Sequence, residues 1–273
     1  MRLGEVLRLA TEHLAKTSET ARLDAELLLG RALGRSRIEL YTDFDRPLDE
    51  RELAAYRALV ARRARHEPVA YILGEWGFRR LMLLVDERAL IPRPETEIVV
   101  ERCLERLRGR DDPKVLDVGT GSGAIALAIA DEHAGARVTA MDLSADALAL
   151  ARKNAERSGL EVELLEHDLR DGLPGGPYDL VVSNPPYVEP ADLDALMPDV
   201  REYEPHLALV GVGATEAIAR AARAVLRPGG WFVLEVGDGQ APQTLALLEG
   251  LEYDDGRITR DLTGRERVVE ARR

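Results

Sequence analysis

Apolar residues recur at helical spacing through the first part of the chain, from residue 3 to about residue 67. This recurrence places apolar side chains on one face of each helix, so the stretch predicts a small bundle of four or five short helices. The stretch contains residues that favour helix ends: Thr17, Ser18 and Asp49 are predicted N-caps, and Gly30 and Gly34 are predicted to end helices. Nothing catalytic stands out, and we predict a scaffold or a surface that recognises a partner.

Two short apolar runs follow, at 77–80 and 82–85, and together they predict a β-hairpin. The next segment is stiffened by prolines and reads Ile91-Pro92-Arg93-Pro94-Glu95-Thr96-Glu97. Its acidic residues suit the first turn of a helix that runs to about residue 107. We therefore expect a helical domain at 1–75, a hairpin and linker at 76–95, and a larger domain at 96–273.

From Lys114 onward, strands alternate with helices. We predict strands at 115–118, 137–141, 162–165, 179–183, 231–236, 253–259 and 267–271, with helices at 124–131 and 144–157. Repeated strand–helix units form a mostly parallel sheet covered on both faces. The larger domain is thus expected to be an α/β, Rossmann-like fold with a seven-stranded sheet, whose ligands bind beyond the carboxyl ends of the strands.

Composition and charge narrow the classes of function. The 273-residue chain has no apolar run long enough to cross a bilayer and starts without a signal-peptide pattern, so we expect a cytosolic protein with no membrane partner. Its formal net charge of -12 disfavours attraction to nucleic-acid phosphates. The single cysteine, Cys103, excludes a disulfide framework, and the five histidines lack metal-ligand spacing, so no metal site is predicted.

A glycine-rich turn follows the first strand of the predicted sheet and opens a helix: Gly119-Thr120-Gly121-Ser122-Gly123. Glycines at such a turn let a ligand approach the backbone closely. The spacing differs from that of dinucleotide-binding folds, and no Gly-Lys-Ser/Thr follows to hold a triphosphate. A nucleoside ligand without a pyrophosphate is therefore favoured over the alternative, a tight turn with no ligand.

Two aspartates follow the next two strands. Asp142 stands at roughly the separation from the glycine turn at which an acidic side chain meets ribose hydroxyls in related folds, although it could instead cap the helix that begins near Ser144. Asp168 could accept a hydrogen bond from an adenine amino group, or it could belong to a simple turn. Both alternatives remain open for Asp168.

The segment Asn184-Pro185-Pro186-Tyr187 follows the fourth strand of the sheet and should emerge beside the glycine turn. An amide or aromatic amino nitrogen is a poor nucleophile because its lone pair is delocalised. Acceptors aimed at its two hydrogens favour a more nucleophilic nitrogen in the transition state, and the Asn184 side-chain oxygen and the Pro185 carbonyl can supply two such acceptors. Tyr187 can stack on the planar group. The segment predicts methyl transfer to a planar nitrogen; the alternative is a rigid turn.

Taken together, these residues resemble the bacterial peptide chain release factor glutamine methyltransferases of the HemK/PrmC type. The resemblance covers nearly the whole chain and includes the glycine turn, the 184–187 segment, and three further stretches, of which the last two are much more specific than the glycine turn. Those stretches are Tyr71-Ile72-Leu73-Gly74 with Phe78, the linker at 91–97, and Tyr203-Glu204-Pro205 followed by Ala208-Leu209.

The resemblance implies methylation of the side-chain amide of the glutamine in the Gly-Gly-Gln motif of class-1 release factors. By the matching positions, Gly119 to Gly123, Asp142 and Asn184 would hold S-adenosylmethionine, and Asn184 to Tyr187 would hold the glutamine. Where some members carry an aromatic residue after the third-strand aspartate, this chain has Leu169, which implies aliphatic packing against adenine. Arg93 is either a salt-bridge former within the linker or a contact for the substrate loop.

Three other functions are compatible with parts of this pattern. An adenine amino-methyltransferase would present the same planar nitrogen, but the net charge and the lack of a basic recognition segment argue against DNA or RNA as substrate. A ribosomal-protein glutamine methyltransferase would have nearly the same site. A non-enzymatic module that binds S-adenosylmethionine is disfavoured by Asn184, one of only two asparagines in the chain.

Overall fold

Five helices make up most of the smaller of two units, which contains Met1–Glu75 and Leu196–Tyr203. The structure, a computed structural model, describes every residue from Met1 to Arg273. The helices are Leu3–Leu14 (α1), Ala21–Leu33 (α2), Arg37–Thr42 (α3), Glu50–Arg63 (α4) and Val69–Leu73 (α5), with the later Pro198–Tyr203 (α9 in chain order). Fully buried leucines from α1 and α2 pack with Tyr56 of α4 in one apolar core, and the predicted helical bundle is confirmed.

The ends of these helices follow only part of the sequence prediction. Asp49 caps α4 by accepting a hydrogen bond from the Glu52 N–H, and Gly34 ends α2 with a left-handed φ of 62°. Gly30 lies inside α2 and does not end it. A Cβ there would come within 2.7 Å of the Arg35 carbonyl oxygen, which accounts for the glycine. Ser18 does not occupy the N-cap position of α2. Its hydroxyl instead donates a hydrogen bond to Asp24.

The larger unit contains Trp76–Ala195 and Glu204–Arg273. A hairpin of Glu75–Phe78 (β1) and Leu81–Leu84 (β2) precedes a seven-stranded sheet. The sheet strands are Lys114–Val118 (β3), Arg137–Asp142 (β4), Glu163–Glu166 (β5), Tyr178–Ser183 (β6), Leu226–Glu235 (β7), Asp254–Arg260 (β8) and Glu266–Arg272 (β9). The helices are Thr96–Leu107 (α6), Ala124–Glu132 (α7), Ala145–Ser158 (α8), His206–Leu209 (α10), Ala214–Val225 (α11) and Ala241–Gly250 (α12).

The strands of the sheet lie in the order β5-β4-β3-β6-β7-β9-β8. All neighbouring pairs are parallel except those of β9, which runs antiparallel to β7 and β8. The chain leaves β3 on one side for β4 and returns on the other side at β6, so the carboxyl ends of these three strands flank the switch in strand order. This is the place where open α/β sheets bind their ligands.

Apolar residues cover both faces of the sheet. Val115 packs with α6 and α7 on one face, whereas its neighbour Leu116 packs with α11 and α12 on the other. This alternation follows from the two-residue period of a strand. The predicted α/β fold with a mostly parallel seven-stranded sheet is confirmed. No helix has the length and apolar character that crossing a membrane requires.

Candidate active site

A cavity of about 290 Å³ opens at the switch in strand order. Its wall contains the glycine turn after β3, the end of β4, and the turn after β6. Of the residues predicted for the site, these line it: Gly119, Thr120, Gly121, Ser122, Asp142, Asp168, Leu169, Asn184, Pro185 and Pro186. A pocket that is mostly apolar and carries a few convergent polar groups is typical of small-molecule sites.

The glycine turn is held tightly to the sheet. The N–H groups of Gly119 and Thr120 both donate to the Met141 carbonyl at the end of β4, at 2.9 and 3.0 Å. Gly119 and Gly121 have φ values of 75° and 57°, in the left-handed region that favours glycine. A Cβ at Gly119 would meet no protein atom within 4 Å, so the absence of a side chain there leaves space on the ligand side.

Asp142 closes this turn as well as facing the cavity. One carboxylate oxygen accepts from the Gly121 N–H at 2.8 Å, and the other accepts from the Ser144 N–H at 2.9 Å. Ser144, not Asp142, caps α8, because its hydroxyl accepts from the Ala147 N–H. Burial raises the pKa of the Asp142 carboxyl, and the backbone N–H groups offset part of that rise.

Asp168 caps the short 3₁₀ turn Leu169–Asp171 through the Arg170 N–H, and its carboxylate pairs with the Arg170 guanidinium. The hydrogen bonds from Arg170 lower the pKa of Asp168 to about 2. Leu169 is half-buried and packs against the apolar core on one face of the sheet. Both residues line the cavity, so an adenine contact stays a prediction for each of them.

Asn184 and Pro185 directly follow β6. The last residue of β6, Ser183, donates a hydrogen bond from its hydroxyl to the Val118 carbonyl of β3 at 2.7 Å. The amide nitrogen Nδ2 of Asn184 donates to Thr96 Oγ1 at 3.4 Å. Its oxygen Oδ1 and the Pro185 carbonyl accept no hydrogen bond from within the chain. Two acceptors are therefore available at the cavity wall.

A buried carboxylate lies behind Asn184. Glu235 ends β7, the strand next to β6, and the pairing of Ser183 with Leu234 sets Glu235 beside Asn184. Glu235 is 2% exposed and accepts a hydrogen bond from the Thr96 hydroxyl at 2.6 Å. Burial raises the pKa of Glu235 to about 7, although the Thr96 hydroxyl lowers it in part.

Segments from later in the chain brace the 184–187 turn. The Val188 N–H donates to the Leu209 carbonyl, and a Cβ on Gly211 would lie 2.4 Å from Pro186 Cγ. The Gln240 side chain donates to the Tyr187 carbonyl at 3.1 Å and accepts from the Gly237 N–H at 3.0 Å. The turn is thus fixed on both sides, as a rigid binding element requires.

Two predicted substrate-binding residues, Arg93 and Tyr187, are not among the residues that line the cavity. Arg93 forms a salt bridge of 2.5 Å with Glu204, whose side chain is 1% exposed. Arg93 thus forms a salt bridge, although its partner lies outside the linker. It joins the two segments that the resemblance singled out, the linker at 91–97 and the stretch around Glu204.

Sequence reasoning gave no role to Asn154, the other asparagine of the chain. Its side chain is fully buried and accepts from the Leu84 N–H at 2.7 Å. It also donates to the carbonyls of Leu84 and Ser122, at 3.1 and 2.9 Å. Asn154 therefore ties the hairpin to the glycine turn, and the scarcity of asparagine was the signal that could have found it. Thr96, Glu204, Glu235 and Gln240 were also missed as supporting residues.

Sequence comparison relates both parts of the chain to known proteins. Residues 5–74 match the model of the PrmC N-terminal domain, and residues 96–200 match the methyltransferase small domain. The chain is 46% identical over 261 residues to the release factor glutamine methyltransferase of Geobacter sulfurreducens, covering 94% of this chain and 91% of that one. The enzyme of the same name from Chlorobaculum tepidum is also 46% identical, over 90% of this chain and 88% of that one.

The chain belongs to the release factor glutamine methyltransferase family. It is accordingly a methyltransferase that depends on S-adenosylmethionine. A methyltransferase structure from Pyrococcus furiosus, 19% identical, shares the fold with a TM-score of 0.52 over 70% of this chain and 88% of that one.

The residues at the cavity fit the nucleoside part of S-adenosylmethionine. Gly119 and Gly121 leave the backbone open to a close ligand, and Asp142 supplies carboxylate oxygens at the end of the neighbouring strand. The rest of the wall is largely apolar and includes Leu169 and Ile218. No group of three or more His, Cys, Asp or Glu side chains is arranged to hold a metal ion.

Proposed function

We propose that this enzyme methylates the side-chain amide nitrogen of the glutamine in the Gly-Gly-Gln motif of class-1 peptide chain release factors. The observation that carries the proposal is the pair of acceptors at the cavity wall, Asn184 Oδ1 and the Pro185 carbonyl, held beside the glycine turn. Membership of the release factor glutamine methyltransferase family supports the same substrate.

The two acceptors match the donors of the substrate. A primary amide nitrogen carries two hydrogens, and one can donate to Asn184 while the other donates to Pro185. Acceptors fixed in this way stabilise a nitrogen whose lone pair is turned out of the amide plane, so they act mainly on the transition state. Bound S-adenosylmethionine supplies an electrophilic methyl group, and the methylated nitrogen releases its extra proton without a general base.

The other predicted site residues, apart from Arg93, also have a proposed role in this arrangement. The cofactor rests against the glycine turn, which consists of Gly119, Thr120, Gly121, Ser122 and Gly123. Asp142 accepts hydrogen bonds from ribose hydroxyls, and Asp168 and Leu169 lie against the adenine. Pro186 keeps the substrate turn rigid, and Tyr187 packs against the planar glutamine side chain.

The helical unit is proposed to recognise the protein substrate, with the hairpin and linker at 76–95 leading into the catalytic domain at 96–273. The net charge of -12 supports a protein substrate rather than direct binding of nucleic acid. Because release factors work in translation, we propose that the enzyme acts in the cytoplasm.

The test is methyl transfer from labelled S-adenosylmethionine to a purified class-1 release factor, with DNA as the alternative acceptor. We expect label on the release factor alone. The Asn184→Ala variant should lose transfer by about 100-fold or more, the usual effect of removing one preorganised hydrogen-bonding group, while its affinity for S-adenosylmethionine changes little. Label found only on DNA, or a variant that transfers at the wild-type rate, would contradict the proposal.

A further inference from the structure

Three side chains form a hydrogen-bonded row behind the substrate turn. Thr96, the first residue of α6, lies between Glu235 at the end of β7 and Asn184 after β6. Thr96 and Glu235 are 4% and 2% exposed, so the bond between them is shielded from water. The Asn184 bond, at 3.4 Å, is long for an N–H···O bond, and the Thr96–Glu235 bond, at 2.6 Å, is short.

We infer that Glu235, acting through Thr96, is a positioning residue that fixes which end of the Asn184 side-chain amide faces the glutamine substrate. The inference rests on the proposed function, because it concerns how Asn184 serves that reaction. Neither Thr96 nor Glu235 is proposed to touch the reacting nitrogen.

The donors and acceptors of the three side chains allow only one arrangement when Glu235 is ionised. An ionised carboxylate only accepts, so the Thr96 hydroxyl must donate its single hydrogen to Glu235. The Thr96 oxygen is then left with lone pairs and can only accept. Of the two ends of the Asn184 amide, only the NH₂ group can satisfy it. Oδ1 is consequently turned away from Thr96 and remains available to the substrate.

Protonation of Glu235 removes this constraint. A neutral carboxyl can donate to the Thr96 oxygen, and the Thr96 hydroxyl is then able to donate to Asn184 Oδ1. The amide can rotate by half a turn and present NH₂ to the substrate, where two donors would face two donors. The row therefore couples the charge of Glu235 to the acceptor that the reaction needs.

The charged and polar groups around Glu235 set the pH at which its carboxyl is protonated. Burial raises the pKa of Glu235 to about 7, and the nearby Glu95 carboxylate adds to that rise. The Thr96 hydroxyl, Arg267 on the neighbouring β9 and the Asn184 amide lower it. Tyr187 also lies close, and its own pKa is raised chiefly by burial and secondly by Glu235. The carboxyl thus titrates within a range that experiments can reach.

The chain offers a test that needs no substrate, because Asn154 and Asn184 are its only asparagines. Selective ¹⁵N labelling of asparagine yields two pairs of side-chain NH₂ signals in an NMR spectrum, one pair for each residue. Between pH 6 and 8 we expect the Asn184 signal to shift with a midpoint near 7 and the Asn154 signal to stay in place. In Glu235→Gln the shift should vanish. An Asn184 signal that ignores pH, or that shifts equally in Glu235→Gln, would overturn the inference.

Steady-state kinetics provide a second test of the inference. Thr96→Val keeps the shape of the side chain but removes the hydroxyl, whereas Thr96→Ser keeps the hydroxyl. We expect kcat to fall about 10-fold or more in Thr96→Val and in Glu235→Gln, and to recover in Thr96→Ser, with little change in affinity for S-adenosylmethionine. If Thr96 acted only through the shape of its side chain, Thr96→Val would keep the activity and Thr96→Ser would not recover it.

The pH profile separates the ionisation of Glu235 from that of another buried carboxyl. Burial also raises the pKa of Asp117 to about 7, so the wild-type profile alone does not identify Glu235. We expect Glu235→Gln to lose one ionisation on the acidic limb. Equal kcat in Thr96→Val and Thr96→Ser, or an unchanged profile in Glu235→Gln, would refute the inference. A wild-type enzyme that transfers nothing to a release factor would instead refute the proposed function, and the NMR test would still decide this one.

Discussion

Replacement of Asn154 by Ala should damage the cofactor site from a distance. The change removes three hydrogen bonds, made to Leu84 N–H, Leu84 carbonyl and Ser122 carbonyl. Each bond of this kind contributes about 0.5–1.5 kcal/mol net, so their loss costs about 2–4 kcal/mol in the free energy of unfolding. The cavity left behind adds to this cost, because Asn154 is fully buried.

Urea unfolding followed by circular dichroism measures the stability, and isothermal titration calorimetry measures the affinity for S-adenosylmethionine. Arg152→Ala, an exposed position on the same helix, is the matched control. We expect the control to change stability by less than about 0.5 kcal/mol. Because Ser122 belongs to the glycine turn, the Asn154 variant should also bind the cofactor more weakly. A stability equal to that of the control, with unchanged affinity, would refute the assigned role of Asn154.

Two further substitutions test other parts of the site. Asp142→Ala removes both the predicted ribose contact and the acceptor of the Gly121 N–H, so affinity for S-adenosylmethionine should fall by roughly 10- to 100-fold. An unchanged dissociation constant in calorimetry would count against the ribose role. Arg93→Met deprives the buried Glu204 of this cation and should cost about 3 kcal/mol in the free energy of unfolding. Adding Glu204→Gln should recover part of that loss, and a double variant as unstable as the sum of the two single changes would contradict the pairing.

The fold was predictable because its pattern is local. The sheet strands and α7 and α8 carry near-continuous apolar runs or helical spacing, and most of their predicted ends lie within two residues of those observed. β7 is the exception, since it begins at Leu226 and not at 231. Its first half contains Pro228-Gly229-Gly230, which reads as a turn, yet Leu226 pairs with Tyr178 across an irregular stretch of the ladder. Pairing with a neighbouring strand overrode local propensity there.

The parts of the site next to strands were also predictable. Motifs such as Gly119 to Gly123 and Asn184 to Tyr187 follow strands directly, and the carboxyl ends of parallel strands meet at one edge. The supporting residues were not predictable in the same way. Thr96 and Glu235 are separated by more than a hundred residues and meet only in three dimensions, and a buried glutamate at the end of an apolar strand gives no sign of its partner. Nor does the sequence indicate that Leu196–Tyr203 joins the helical unit.

The most direct test of the central claim is to locate the transferred methyl group. A class-1 release factor is incubated with the enzyme and S-adenosylmethionine, digested, and sequenced by tandem mass spectrometry. We predict one added methyl group, on the side-chain nitrogen of the glutamine in the Gly-Gly-Gln motif, absent when Asn184→Ala replaces the wild-type enzyme. A methyl group on any other residue, or an unmodified factor under conditions where the cofactor binds, would contradict the account.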